Sequence, residues 1–249
     1  SGMIWNIYFG VLALATLRPL VDQLQSVGGM YYPLAALALL ALAFIRYIPT
    51  GPAPRAAAAD GAPAASLLLP LTGLAAMLIW CCGLGAIWTF VERIGVEGGL
   101  ESALALRSLS VSSAVAITGA LLAAALAARG VGRFFPVTVA LLGQMAVAWF
   151  IQGEMSWVEL AVKASVFQVF WNMTGPFLMG AIAASDTGGK VAVLIPAAQT
   201  SGFFIGPTIA GQFMGGSGLM AANYTAIACC AIALLMFFPL AARLRSAGH

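Results

Sequence analysis

Helical spacing places Ser165, Gln168 and Asn172 on one face of an otherwise apolar run, with Trp171 beside them and Thr174 extending the polar character. Side-chain amides both give and accept hydrogen bonds. In an apolar segment they either contact a solute or tie one helix to its neighbour. Trp171 adds a flat apolar wall, the usual companion of a few placed polar groups in a binding pocket. Trp80 and Trp88, two turns apart and nearly on one face of an earlier run, are further candidate solute contacts. Trp88 equally fits an aromatic belt at a membrane surface. Asn6 and Gln199 are modest candidates.

Charges inside apolar runs are costly, by at least ~2.5 kcal/mol on insertion scales, so each one needs a reason. Glu159 and Lys163 are four residues apart and can pair on one helical face. Arg107 lies about one and a half turns into its own run. These charges either snorkel to the interface or line a vestibule that attracts anionic groups. Glu92 and Arg93 follow Trp88; Glu92 titrates if it is buried against a cavity, and otherwise is a loop-edge acid. Ser108 and Ser112 share a face, and short hydroxyls there commonly bond back to the helix backbone.

Signatures of catalysis are scarce. The single histidine is His249, the last residue, so a histidine-based triad or buried histidine metal site has no raw material. No Gly-x-x-x-x-Gly-Lys-Ser/Thr loop is present to cradle phosphates. Cys81-Cys82 and Cys229-Cys230 are vicinal pairs, not Cys-x-x-Cys, and read as small packing residues. We therefore expect neither an enzyme nor a cofactor or metal site.

The elements that must position these residues follow from composition. The chain has 249 residues, of which 62% are hydrophobic and 8% charged, with a net charge of +3. Soluble domains carry about 25% charged residues, so this chain cannot cover a water-facing surface. A membrane-spanning helix needs about 20 apolar residues, which allows about eight spans. The runs are 4–20, 30–48, 67–91, 103–128, 134–151, 157–184, 191–214 and 219–242. They are continuous and lack the alternation of a lipid-facing barrel. The fold class is an all-α polytopic membrane protein. The Pro/Ala/Gly-rich stretch 49–66 reads as a linker that divides two spans from six.

Positive charge orients the spans. One set of loops holds Arg46, Arg55, Arg129, Arg133, Lys190, Arg243 and Arg245 against Asp60 and Asp186. The other holds Asp22, Glu92, Glu97, Glu101 and Glu154, with Arg93 and, at its edge, Arg18. The first side, with both termini and the linker, is expected to be cytoplasmic. Spans one and two also resemble spans seven and eight, Gly29-Met30-Tyr31-Tyr32 standing where Ala221-Ala222-Asn223-Tyr224 stands.

Several segments resemble the major facilitator superfamily, whose transporters join two six-helix halves by a cytoplasmic linker. Gly202 to Gly211, with Gly206-Pro207 at its centre, resembles the antiporter Gly-Pro motif, here in the eleventh helix. Ala128-Arg129-Gly-Val-Gly132-Arg133 resembles the D-R-x-G-R loop motif without its Asp. The run from Trp171-Asn172 through Asp186 and Lys190 to Gln199 is similar to helices ten and eleven of bacterial drug-exporter-like members.

On this resemblance, residues 1–48 are the last two helices of an N-terminal bundle, 49–66 the linker, and 67–249 the complete C-terminal bundle, helices seven to twelve. It implies secondary transport of a small, partly apolar solute across a bacterial inner membrane by alternating access, coupled to protons, with efflux favoured. Arg129, Arg133, Asp186 and Lys190 would serve charge or gating roles, and Gly202, Gly206, Pro207 and Gly211 helix packing. The implied partners are membrane lipid, the solute and the absent helices one to four, with no nucleic acid; the chain alone is expected not to transport. The alternative is a half-size structural or assembly protein acting by oligomerisation.

Overall fold

The computed structural model describes residues 67–246 and, in addition, Leu39, which is helical. The first two expected spans and the linker otherwise lie outside the described residues. The chain divides into two compact units at about this linker, 1–62 and 63–249.

Among the described residues, seven α-helices make up the second unit: α1 (Leu68–Glu97), α2 (Ser102–Val115), α3 (Ile117–Ala128), α4 (Phe134–Phe150), α5 (Trp157–Ser185), α6 (Ile195–Ser217) and α7 (Met220–Ser246). A short 3₁₀ turn, Ala192–Leu194, precedes α6. There is no strand among the described residues. The expected run 103–128 is not one helix. It breaks at Ala116, just after Ser112 and Ser113 both donate hydroxyl protons to the Leu109 carbonyl, at 2.8 and 2.9 Å. Such back-bonding bends helices.

Among the described residues, four stretches are long and apolar enough to cross a membrane: Leu68–Glu97, Ser102–Ala128, Ala192–Ser217 and Met220–Leu240. Helix α4 has 17 residues, about 25 Å of rise, slightly less than a bilayer core. Helix α5 has 29 residues but carries Glu159, Lys163, Gln168 and Asn172. The unit exposes large apolar side chains on its outside, including Phe135, Phe150, Phe204 and Leu235. In water such a surface would aggregate; in lipid it is at rest. The protein is an all-α polytopic membrane protein.

Without a hydrophobic force between helices in lipid, close approach and hydrogen bonds must hold them. Helix α1 is central, packing on α6 and α7; α5 packs on α2, α3 and α4; α4 meets α7 and α1 meets α5. Exchanging α1 with α5, α2–α3 with α6, and α4 with α7 maps these interfaces onto one another, whereas α6 also packs on α7 and α2–α3 make no comparable contact with α4. Glycines mark both halves of that pattern. A Cβ on Gly85 of α1 would fall 2.7 Å from the Phe203 carbonyl of α6, and one on Gly119 of α3 would strike the Val169 carbonyl of α5. The largest sealed side chains include Trp80, Leu84 and Ile87 of α1, Leu141 of α4, Phe167 of α5 and Phe237 of α7.

Candidate functional site

Helix α5 begins with a capping box. The Ser156 N–H donates to Glu159 Oε2 at 2.7 Å, and the Ser156 hydroxyl accepts from the Glu159 N–H at 3.3 Å. This reciprocal pair satisfies two of the amide groups that a helix start leaves unpartnered. Glu159 is thus engaged by Ser156; Lys163, half-buried one turn on, contributes electrostatic attraction behind it.

Two turns further, Gln168 is buried and its Nε2 donates to Ser113 Oγ at 3.3 Å and Ser112 Oγ at 3.4 Å. Both serine protons are already committed to the Leu109 carbonyl, so these hydroxyls can only accept. The amide must therefore turn its NH₂ toward them and its oxygen away. Asn172, also buried, donates from Nδ2 to the Gln168 carbonyl at 2.9 Å, which fixes its amide in the same way. Both amides thus have fixed orientations, and Gln168 also joins α5 to α2.

The aromatic part of the site assembles from three helices. The half-buried Trp171 of α5 meets Trp88 of α1 edge to face at 5.9 Å between centroids, and Phe203 of α6 at 5.5 Å. Ser113, Gln168, Trp171, Trp88 and Phe203 thereby form a band across one face, contributed by α2, α5, α1 and α6. Its members other than Gln168 are only partly covered. Phe203 has no signal in the sequence beyond lying next to Gly202.

Trp80 does not belong to this band. It is 1% exposed, and its indole N–H donates to Gln144 Oε1 of α4 at 2.9 Å. Eight residues separate Trp80 from Trp88, about 80° around a helix, enough to send one ring into the core and leave the other at the band. Gln144 is an addition to the expected residues, although a lone amide within the apolar run 134–151 is a legible sign. Its Oε1 also accepts from Cys230 Sγ at 3.5 Å, while its Nε2 is sealed without a partner. Asn223, fully buried on α7, donates to the carbonyls of Ala148 at 2.9 Å and Ile151 at 2.6 Å, capping the end of α4.

The expected charged residues collect at the two ends of the bundle. At one end, Glu92 accepts from the Ser102 hydroxyl at 2.7 Å, Arg93 is exposed, and the Arg107 guanidinium lies 5.3 Å from the Trp157 ring centre. A cleft of about 500 Å³ opens there between Glu97, Gly98, Gly99, Glu154, Met155, Ser156 and Glu159. At the other end stand Arg129 and Arg133, both exposed, and the loop between α5 and α6. Within that loop, Asp186 Oδ2 accepts from the Val191 and Ala192 N–H groups, both at 2.7 Å, and Lys190 is exposed. Burial pushes the Asp186 carboxyl up, but the amides of Ala192, Val191, Lys190 and Gly188 outweigh it and hold it below its ordinary value.

The small residues of α6 divide. A Cβ on Gly202 would fall 2.6 Å from Cys81 Cβ, and one on Gly206 would strike the Cys82 carbonyl. Gly202 and Gly206 therefore seat α6 on α1, with Pro207 half-buried next to them. Gly211 departs from expectation: it is exposed, and a Cβ there meets nothing within 4 Å. Five residues beyond Gly206 place it more than 130° around the helix from the contact. The four cysteines are buried free thiols, and Cys229 Cβ lies 2.8 Å from where a Gly83 side chain would begin. Among the described residues no three His, Cys, Asp or Glu side chains gather to hold a metal. No family model, no curated protein and no solved structure matches this chain.

Proposed function

We propose that this protein is a secondary transporter of a small, partly apolar solute, working by alternating access across a bacterial inner membrane. The band from Ser113 through Gln168 and Trp171 to Trp88 and Phe203 carries this reading. It combines a flat apolar surface with fixed amides at the crossing of four helices, the composition of a solute site. The exchange relation between α1–α4 and α5–α7 supports it, because inverted repeats of three helices build each half of a major facilitator transporter. In this reading residues 67–249 are the C-terminal half, and the basic end of the bundle is cytoplasmic.

Proton coupling, in the same reading, falls to a carboxylate outside the described residues or to Glu92 or Glu159; Glu92 accepts a hydrogen bond from Ser102, and Glu159 is held in its capping box. The test is counterflow by the full-length protein in proteoliposomes, against a solute panel, with and without a pH gradient. Solute-dependent counterflow that Trp171→Ala abolishes is the expected result. No counterflow of any solute under either condition would retire the reading in favour of a structural or assembly role. The exposed phenylalanines of α6, Phe204 and Phe213 on opposite sides of the helix, favour that second reading as contacts for further copies.

A further inference from the structure

Resting on the transport reading, we infer that the site takes a solute that gives hydrogen bonds rather than accepts them: an ammonium or other N–H donor on a flat apolar body. The orientation of the two amides carries this. Gln168 must present its NH₂ to Ser113 and Ser112, whose own protons go to the Leu109 carbonyl. Asn172 must present its NH₂ to the Gln168 carbonyl. Gln168 Oε1 and Asn172 Oδ1 are therefore the free ends, and among the described residues neither accepts a hydrogen bond. Unlike Gln144 Nε2 and Asn223 Oδ1, which are sealed without partners, these two oxygens are not sealed.

Two fixed acceptors ask for a donor. A carboxylate or phosphate placed against them would set oxygen against oxygen in a medium where such a clash is poorly screened. The rotatable hydroxyl on the same face, that of Ser165, adapts to either partner. Trp171, Trp88 and Phe203 meet beside the amides, and aromatic faces attract cations. At the end of the bundle where α5 starts, Glu92, Glu97, Glu154 and Glu159 outnumber Arg93, Arg107 and Lys163, a balance that favours positive charge only modestly.

The test compares two probes of one shape and opposite polarity, phenethylamine and phenylacetate, by equilibrium dialysis against the full-length protein in detergent at neutral pH. Saturable phenethylamine binding at least about tenfold tighter than phenylacetate is expected, the minimum for a hydrogen bond to a charged group. Asn172→Ala should weaken phenethylamine about tenfold or more, and Trp171→Leu likewise, with Trp171→Phe recovering part of the loss. Melting followed by circular dichroism confirms that each variant is folded. Equal or tighter phenylacetate binding, unchanged affinity in folded Asn172→Ala, or no saturable phenethylamine binding at millimolar concentrations would each overturn the inference. Flux of anionic solutes without amine binding would leave the transport reading standing and remove this one. Amine binding without any counterflow would do the reverse.

Discussion

The indole N–H of Trp80 donates to Gln144 Oε1 across 2.9 Å, tying α1 to α4 in a region where neither side chain is exposed. Cys230 of α7 points its thiol at the same oxygen. Three helices thus share one acceptor in the apolar core, and a polar contact of this kind fixes register where apolar packing alone tolerates sliding.

Trp80→Phe should therefore cost stability without touching solute affinity. Loss of the indole donor leaves the buried Gln144 oxygen with only the weak Cys230 thiol as partner, a cost of about 1–3 kcal/mol. Adding Gln144→Leu should recover part of that loss, because both ends of the bond are then apolar. Unfolding in detergent and solute binding, measured on the same preparations, check this. A loss of affinity in folded Trp80→Phe would return Trp80 to the binding site.

Legibility in the sequence depends on period and on cost. Apolar runs announce helices regardless of tertiary context, so α1 to α7 fall close to the expected runs. Inside those runs a polar side chain is rare enough to notice, which singles out Gln168 and Asn172. Direction around the helix is harder to read. Trp80 and Trp88 look equivalent along the chain, and only the packed bundle sends one to Gln144 and the other to Trp171. Phe203 is invisible because an aromatic residue in a membrane helix needs no explanation. Asp186 reads in sequence as a gating charge, since a loop acid beside Lys190 gives no hint that its oxygen closes on Val191 and Ala192.

Two glycines of one helix should respond in opposite ways. Gly206→Leu forces a side chain against the Cys82 carbonyl, and rigid overpacking of this sort costs about 1–3 kcal/mol or more. Gly211→Leu meets open space and should leave folding unchanged. Yield of folded protein by size-exclusion chromatography, together with melting temperature, separates the pair. Equal damage from both substitutions would place a contact on the Gly211 face.

Asp186 gives a pH signature. Its carboxyl is held below the ordinary value, so the charged form is stabilised by folding. That contribution is complete above the ordinary carboxylate range and fades as pH falls through the lowered value. Asp186→Ala should cost about 1.5–3 kcal/mol at neutral pH, the scale of hydrogen bonds to a charged group. The gap between wild type and variant should close in strong acid. Melting curves across pH provide the measurement, and a gap that persists unchanged in acid would show that the loop does not rely on the ionised carboxylate.

Gln168 and Asn172 occupy one face of one helix, yet their bonds differ in reach. Gln168 spans from α5 to Ser112 and Ser113 of α2, so Gln168→Ala removes a contact between helices. Such contacts in membranes are worth about 0.6–1.7 kcal/mol, and melting temperature should fall accordingly. Asn172 spends its NH₂ on the carbonyl one turn back in its own helix, so Asn172→Ala leaves the bundle's cross-links intact and should barely change stability. Both variants nevertheless lose an outward oxygen and should weaken solute binding. Loss of affinity with unchanged melting in Asn172→Ala, set beside loss of both in Gln168→Ala, would tie the weakened binding to the missing oxygens, since a general loosening of the bundle lowers affinity only where it also lowers melting. Wild-type affinity in both folded variants would reduce the pair to helix fastening and move the site elsewhere on the aromatic band.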